Sequence, residues 1–301
     1  PSISTITEND EQLQKLLSDP GIELPPLLPS LAFALNDLSI LPSDFSLDPA
    51  KTLEEQGGLT NEEQAEVRRI AFTALKRLRD RSSEDRNVDD DDLRKIMSWA
   101  CGTQLTGSYL EMLKEELSPE NTDVRSPDWS KSDFDSERDF TVAIIGAGMS
   151  GILAAYRLQQ AGVSFVLFEK NEGIGGTWLE NTYPGCRVDV SNHVYCYSFM
   201  QKHDWPHFHS TQSVLLEYFN DCADIFDIRD NIRFGTEVAS AVWDEASQSW
   251  VLEISSAMGE ETVSCQSVIS AVGQLNQPSY PNILGRDSFG GTSWHSARWD
   301  H

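Results

Sequence analysis

The sequence predicts an α/β fold with a parallel sheet, preceded by an all-α N-terminal domain. Apolar residues recur at helical spacing in the first part of the chain. From residue 140 onwards, a strand, a helix and a second strand follow one another within about 30 residues, which is typical of a βαβ unit. A glycine-rich turn joins the first strand to the helix, and the crossover between two such parallel strands is expected to be right-handed.

The composition narrows the class of protein before any motif is considered. The chain has 301 residues, which allows two domains with separate cores. Its net charge of −25 argues against binding to nucleic acid or to anionic membrane surfaces, because both would be repelled. No apolar run approaches the roughly 18 residues of a membrane span, and the first residues lack the basic and apolar regions of a signal peptide.

The five cysteines are spread along the chain, and no CxxC pair occurs. This usage predicts reduced thiols and a cytoplasmic protein. A disulfide-reductase role for Cys186 would need a second redox cysteine a few residues away, and the sequence has none there. Cys186 is therefore expected to line a pocket rather than to react.

Residues 1–117 are predicted to form a helical N-terminal extension. Thr60 and Glu63 have the spacing of a capping box at the start of one helix. The acidic run 89–92 precedes a second apolar pattern, where acids would complement the helix dipole. This run lacks the glycine and the distal glutamate of a calcium-binding loop, so we interpret it as a helix start and predict no metal. Further helices are expected at 10–17, at 26–40 and around Leu110, Leu113 and Leu117.

Residues 118–138 are polar and contain two Ser-Pro steps, which is the composition of a linker. Trp129 within this stretch is expected to pack onto a domain surface. The second predicted domain covers residues 139–301. Its apolar runs at 249–256 and 267–273 predict further strands.

The glycine-rich turn has the pattern GxGxxG, with Gly146, Gly148 and Gly151 after a predicted strand at 140–146 and at the start of a helix at 149–162. The first glycine allows the tight turn, the second lets the backbone approach a pyrophosphate, and the third lets helix and strand pack closely. The helix N-terminus would then offer N–H groups and a partial positive charge to the phosphates. This context predicts a Rossmann-like dinucleotide site.

The identity of the dinucleotide follows from residues at the end of the second predicted strand, which covers 163–170, and from the residues just after it. Glu169 stands 18 residues after Gly151, where a carboxylate would accept hydrogen bonds from the ribose hydroxyls and repel a 2′-phosphate. The pocket should therefore hold FAD or NAD rather than NADP. A second glycine turn, GIGGTW at 173–178, favours FAD, which is the longer nucleotide. It adds Gly176, Thr177 and Trp178 to the predicted cofactor-binding residues.

At this point the sequence resembles the type I Baeyer–Villiger monooxygenases. Residues 175–189, GGTWLENTYPGCRVD, match the family motif [A/G]GxWxxxx[F/Y]P[G/M]xxxD, and the stretch FGGTSWHSARW at 289–299 matches FxGxxxHxxxW. YCYSF at 195–199 and AVGQLNQPSYPNILG at 271–285 are also similar. The resemblance covers about residues 139–301, while the helical extension is similar in length and texture to that of 4-hydroxyacetophenone monooxygenases.

The resemblance implies an activity. In that family NADPH reduces FAD, O2 adds to give a C4a-peroxyflavin, and a ketone is converted into an ester or a lactone. By motif position, Asp189 should lie near the flavin ring and orient an arginine of the NADPH domain. Trp178 and Tyr195 should border the flavin, and Val238 should lie near the adenine. His295 belongs to the connection between domains, so Asp189 and His295 are the candidate catalytic residues.

The resemblance also implies that the chain is an N-terminal portion of such an enzyme. The family's fingerprint precedes a second GxGxxG for NADPH, and this sequence has only one such motif. The NADPH site is thus expected to lie mostly outside the chain, and the chain is expected to be inactive alone. The implied partners are a ketone and O2. A homodimer through the N-terminal helical region is predicted separately.

The same motifs are compatible with other functions. A flavin-containing monooxygenase that oxidises nitrogen or sulfur would share the flavin scaffold, and a non-catalytic flavin-binding or interaction fragment is a further alternative. Three histidines in KHDWPHFH at 202–209 could suggest a metal site. The aromatic residues between them favour a packed loop instead, because no cysteine or acid completes a first shell.

Overall fold

The computed structural model describes residues 6–51, 54–80, 88–117, 123–275 and 277–301. The chain divides into two units, Pro1–Glu120 and Asn121–His301. Residues 123–138 of the predicted linker belong to the second unit, and residues 118–122 lie outside the described residues.

The first unit is helical, as predicted. Its helices are α1 (Asp10–Leu17), α2 (Leu27–Leu35), α3 (Asn61–Arg79), α4 (Asp90–Ala100) and α5 (Gly107–Leu117), with short 3₁₀ turns at Leu38–Ile40, Pro49–Lys51 and Glu55–Gly58.

The helix starts follow the local signals in the sequence. Thr60 and Glu63 form the predicted capping box of α3, in which the Thr60 side chain accepts from the Glu63 N–H and the Glu63 carboxylate accepts from the Thr60 N–H. Asp89 caps α4 in the same way, by accepting from the Asp92 N–H at 2.9 Å. The acidic run 89–92 is therefore a helix start. The predicted helix at 26–40 is shorter than expected, because Asn36 adopts a left-handed conformation with φ of 49° and ends α2.

The core of the first unit lies between α2, α3 and α4. Its fully buried centre is formed by Leu28 and Ala32 of α2 with Val67 and Ala71 of α3. Ile96 of α4 completes the same cluster. The apolar residues whose helical spacing predicted these helices are thus the residues on their buried faces.

The second unit contains two sheets and the helices α6 (Ser132–Asp135), α7 (Met149–Gln160), α8 (Thr177–Glu180) and α9 (Gln212–Ile225). Four strands form a parallel sheet in the order β3-β2-β1-β7. Three strands form an antiparallel sheet in the order β4-β5-β6. Their bounds are β1 (Thr141–Ile145), β2 (Ser164–Phe168), β3 (Ile232–Arg233), β4 (Thr236–Asp244), β5 (Ser249–Ser256), β6 (Gly259–Cys265) and β7 (Ser267–Ser270), with 3₁₀ turns at Arg229–Asn231, Arg286–Ser288 and Ser296–Arg298.

The parallel sheet confirms the predicted βαβ unit. β1 pairs with β2 in register from Thr141 opposite Ser164 to Ile145 opposite Phe168, and α7 connects the two strands. Helices α7 and α9 cover one face through buried side chains that include Ile152 and Phe219. The antiparallel sheet covers the other face, where Leu252 and Ile254 of β5 pack in one cluster with Ala143 and Phe168.

Residues 123–138 are held against the C-terminal end of α7. The Asp123 carboxylate accepts from both terminal nitrogens of Arg157 and from Gln160, and the Lys131 N–H donates to the Ala161 carbonyl at 2.8 Å. Burial opposes ionisation of Asp123, but the hydrogen bonds from Arg157 and Gln160 outweigh it and hold its pKa below the ordinary value.

Trp129 lies in the same stretch and is 44% exposed. Its ring meets the ring of Phe134 edge to face at 5.9 Å, so its contact is with a neighbour on α6. Within the described ranges, no helix combines the length and the apolar content that crossing a membrane requires.

Candidate nucleotide-binding site

The bend between β1 and α7 is built around Gly146. Its N–H donates to the Phe168 carbonyl at 2.8 Å, which continues the β1–β2 ladder by one bond. Its φ is 102°, a conformation that favours glycine, and a Cβ at this position would lie 2.7 Å from the Ala271 carbonyl oxygen. The predicted role of Gly146 in a tight turn agrees with this geometry.

Gly151 lies in the first turn of α7, where the helix crosses the bend. A Cβ here would lie 1.8 Å from the Gly146 carbonyl oxygen, so only glycine lets helix and bend approach this closely. The backbone of Gly151 is helical and unstrained, and the constraint is therefore steric alone.

The second glycine turn packs directly against the first. A Cβ on Gly148 would lie 3.6 Å from the Gly176 Cα, and a Cβ on Gly176 would lie 3.0 Å from the Gly148 Cα. The Gly175 N–H donates to the Ala147 carbonyl at 3.0 Å and fixes the two turns together. The sequence predicted both turns, while their mutual contact is a finding of the structure.

The first turn of α7 is suited to an anion. Gly148 is the N-cap of α7 and offers no side-chain acceptor to the helix. The first backbone hydrogen bond of α7 runs from the Ile152 N–H to the Gly148 carbonyl at 3.1 Å. The N–H groups of a first turn without a cap, together with the helix dipole, attract phosphate. The donor set and the cradle without side chains fit the pyrophosphate of FAD.

Glu169 follows β2 and is buried, with 4% of its surface exposed. Its Oε2 accepts from the Ala147 N–H at 2.7 Å, within the GxGxxG turn itself. Its Oε1 accepts from the backbone N–H of Asn171 at 2.9 Å and from the Asn171 side-chain amide at 2.8 Å. The carboxylate is thus held beside the bend, at the position where the sequence places a ribose acceptor.

The structure adds a carboxylate that sequence reasoning missed. Glu180, at the end of α8, accepts from the Asn171 amide at 3.0 Å and from the Lys170 ammonium at 3.1 Å. Burial opposes its ionisation, but the hydrogen bonds from Asn171 and Lys170 lower its pKa below the ordinary value. No spacing rule marks this residue, because its partners come from the loop after β2.

Trp178 and Tyr195, both predicted to border the flavin, are in contact with each other. The Trp178 indole N–H donates to the Tyr195 hydroxyl at 3.2 Å, and the two rings meet edge to face at 5.7 Å. Trp178 is buried, and its carbonyl accepts from the Gln212 amide of α9. Tyr197, two residues beyond Tyr195, donates from its hydroxyl to the Met149 carbonyl at 2.6 Å and so fixes the start of α7.

The other three residues predicted to contact the cofactor, Thr177, Asp189 and Val238, lie in different parts of the second unit. Thr177 begins α8 and is exposed. Asp189 is exposed and forms no ion pair with any residue in the described part of the chain. Val238 lies on β4, two residues after Thr236, whose N–H donates to the Glu169 carbonyl at 2.9 Å. The start of β4 is thus bonded to the backbone of Glu169, while the Val238 side chain packs against the core between the two sheets.

His295 precedes the last 3₁₀ turn. Its Nδ1 accepts from the Ala297 N–H at 3.1 Å, and its ring meets Tyr280 edge to face at 5.4 Å. Trp299 packs edge to face on Trp294 at 5.2 Å. The segment 289–301, which we name the terminal segment, reaches α8 through Arg298, whose guanidinium lies 3.4 Å from the Glu180 carboxylate.

The histidine-rich stretch 202–209 is an irregular loop. Trp205 packs on Tyr218 with ring centroids 5.3 Å apart, as a packed loop requires, whereas His203, His207 and Phe208 are exposed. Asn192 donates to the His207 carbonyl at 2.6 Å, and Phe208 packs on the His209 ring at 5.0 Å. Among the residues that the structure describes, no group of three His, Cys, Asp or Glu side chains is placed to hold a metal ion. None of the five cysteines forms a disulfide, and Cys186 is buried against the core of the second unit.

Comparisons with known proteins agree with this geometry. A family model described as an NAD(P)-binding Rossmann-like domain matches residues 144–210. A Baeyer–Villiger monooxygenase of Streptomyces coelicolor is 42% identical over 161 residues, which is 53% of this chain and 30% of that protein. An FAD-binding monooxygenase of Aspergillus niger, ktnD, is 41% identical over 169 residues, which is 53% of this chain and 28% of that protein.

A third relative extends the similarity. The uncharacterized monooxygenase y4iD of Sinorhizobium fredii is 33% identical over 248 residues, which is 82% of this chain and 36% of that protein. This alignment is longer than residues 139–301, so it must include part of the helical region before them. The chain spans about a third of the length of these relatives. In sequence, this chain is thus similar to proteins named Baeyer–Villiger monooxygenase and FAD-binding monooxygenase.

Proposed function

We propose that this chain binds FAD in the cradle formed by its two glycine turns and serves the NADPH-dependent Baeyer–Villiger oxygenation of a ketone to an ester or a lactone. The observation that carries the proposal is the bend between β1 and α7. There an uncapped helix N-terminus, a glycine cradle and the buried Glu169 carboxylate converge. Of the whole reaction, we assign to this chain the flavin site, and NADPH would bind mostly outside it.

Each group in the cradle has a distinct task in this proposal. The N–H groups of the first turn of α7 would hold the pyrophosphate, and Glu169 would accept a ribose hydroxyl. Trp178 and Tyr195 would form an apolar wall that excludes water. The flavin, when bound, would supply the activation of O2.

Asp189 and His295 receive different proposed roles. Asp189 is exposed and carries no ion pair among the described residues, so its carboxylate is available to orient a cation that approaches the flavin. The His295 imidazole is occupied with the Ala297 N–H, which supports a positioning role in the terminal segment rather than proton transfer.

The arrangement of the whole chain is part of the proposal. We assign residues 139–301 to the FAD-binding domain, 1–117 to a separate helical domain and 118–138 to the segment between them, of which 123–138 pack with the second unit. The absence of disulfides supports a cytoplasmic location.

Exposed Tyr109 and Met112 on α5 support a homodimer through the helical region. Light scattering would test the dimer, which should dissociate on replacing both side chains with serine.

The test of the flavin site is a titration of the purified chain with FAD, followed by quenching of flavin fluorescence. Saturable binding is expected, and Glu169→Gln should weaken it about tenfold, because a charged acceptor of a hydrogen bond is lost. Glu172→Gln is the matched control, since Glu172 is an exposed acid three residues further on. A chain that binds no FAD, or a Glu169→Gln variant that binds it as the unmodified chain does, would contradict the proposal.

The chain alone should show no ketone-dependent NADPH consumption, since we place the NADPH site mostly outside it. Loss of NADPH absorbance, measured with and without a ketone in FAD-saturated chain, tests this expectation. Ketone-dependent turnover would show that the site assignment is too narrow.

A further inference from the structure

The acceptor capacity of Glu169 is almost fully used by the chain itself. A carboxylate has about four lone-pair positions for hydrogen bonds. Oε1 accepts two donors, both from Asn171, and Oε2 accepts one, from Ala147. One position on Oε2 is left for a ribose hydroxyl. The orientation of Glu169, and hence of that position, depends on Asn171.

Asn171 is itself held by a second carboxylate. Its amide nitrogen donates one hydrogen to Glu169 at 2.8 Å and the other to Glu180 at 3.0 Å. The two Oε1 atoms therefore lie at most about 6 Å apart, a distance at which like charges repel. The Asn171 amide bridges them, and its orientation depends on where Glu180 lies.

Glu180 is placed by two cations. Lys170 lies 3.1 Å from one carboxylate oxygen, and Arg298 of the terminal segment lies 3.4 Å from the other. The Glu180 side chain is only 12% exposed, whereas that of Arg298 is 49% exposed. The carboxylate is therefore the buried member of this pair, and the arginine is the half-exposed member. His301 adds a second contact between the segment and this region, with Nε2 2.9 Å from the Thr182 hydroxyl.

We propose that Asn171 and Glu180 are positioning residues that connect the terminal segment to the ribose carboxylate, so that docking of Arg298 strengthens binding of the adenosine half of the nucleotide. The inference rests on the proposed FAD site. Arg298 neutralises Glu180, which keeps the Asn171 amide bridging both acids and leaves one Oε2 position directed at the ribose. When the segment leaves, Glu180 loses a cation and the bridge weakens.

The test measures binding of ADP, which carries only the adenosine half of FAD, to the purified chain by isothermal titration calorimetry. Asn171→Ala should raise the Kd about tenfold, since it removes the side-chain amide bonds to the Glu169 and Glu180 carboxylates and leaves only the backbone N–H bond from Asn171 to Glu169. Glu180→Gln and Arg298→Ala should each raise it about two- to fivefold, as expected for a partly exposed pair. The double variant Glu180→Gln/Arg298→Ala should bind ADP no more weakly than whichever of the two single variants has the higher Kd, because both changes interrupt one connection.

Two control variants separate this connection from general effects of charge. Arg286→Ala removes another cation from the region near the terminal segment, one that lies over the Tyr280 ring at 4.1 Å, and it should leave the Kd unchanged. Arg298→Lys keeps the charge and should restore most of the affinity. Arg298 is half exposed, so its replacement should leave the thermal unfolding of the chain unchanged and the Kd interpretable.

The outcomes distinguish the inference from the function beneath it. If the unmodified chain binds neither ADP nor FAD, both the flavin site and the connection are wrong. If it binds ADP but Asn171→Ala and Arg298→Ala bind equally well, the flavin site stands and the connection is refuted. Independent, multiplicative effects of Glu180→Gln and Arg298→Ala would also refute it.

Discussion

Gly151→Ala gives the sharpest test of how the bend is built. Two effects of this change oppose each other. Alanine is favoured over glycine inside a helix by about 1 kcal/mol, so propensity alone predicts a more stable chain. The added Cβ, however, would lie 1.8 Å from the Gly146 carbonyl oxygen, where ordinary contact begins at 3.4 Å. Relief requires a movement of about 1.6 Å between backbone segments.

The destabilisation caused by the Cβ clash should exceed the stabilisation from the higher helix propensity of alanine. Overpacking costs about 1–3 kcal/mol, and here the obstacle is backbone rather than a flexible side chain, which places the cost at the upper end. We expect a net destabilisation of about 2 kcal/mol, or a fall in Tm of about 5 °C for a unit of this size. The same displacement exceeds the distance window of a hydrogen bond, so ADP affinity should fall at least about tenfold.

The assay is thermal unfolding followed by circular dichroism, with and without ADP. The chain has two units, so the transition that shifts on adding ADP identifies the one that holds the bend. Ser150→Ala is the matched control, because it lies exposed in the same helical turn and already has a Cβ. A Gly151→Ala chain that melts at the same temperature or higher, with unchanged ADP affinity, would refute the steric argument.

Three further predictions address other parts of the chain. Tyr197→Phe removes the donor to the Met149 carbonyl and should destabilise the second unit by about 1 kcal/mol, measured by urea unfolding; equal stability would mean that water replaces the hydroxyl. The pKa of Asp123 is lowered in the folded chain, so its contribution is present above the ordinary value of 3.8 and is lost as the pH falls through the folded value. Asp123→Asn should therefore cost about 1–2 kcal/mol at neutral pH and less in acid, and a Tm difference independent of pH would contradict the pairing with Arg157. Thr60→Ala removes the cap of α3 and should cost the first unit about 1 kcal/mol, whereas Thr60→Ser should retain stability; equal loss in both variants would exclude capping as the cause.

Local signals predicted much of the fold and the centre of the site. The capping box at Thr60, the strand before Gly146 and the glycine spacing act over a few residues, so their patterns can be read directly. Neither helix α9 nor strand β6 is among the elements predicted from the sequence. β6 is mostly exposed and polar, and it forms because β5 offers a partner, which no pattern within β6 indicates.

The sequence by itself determined the bend, the acid beside it and the two motifs shared with Baeyer–Villiger monooxygenases. Only the tertiary structure placed Glu180 beside Asn171 and brought Arg298 to it from 118 positions along the chain. The reason is physical: a turn or a cap is fixed by neighbours in sequence, whereas a hydrogen-bond network between loops depends on where the packed sheets and helices carry them. Each of the turns at Gly148 and Gly176 is fixed by its neighbours in sequence, whereas the contact between the two glycines depends on tertiary packing.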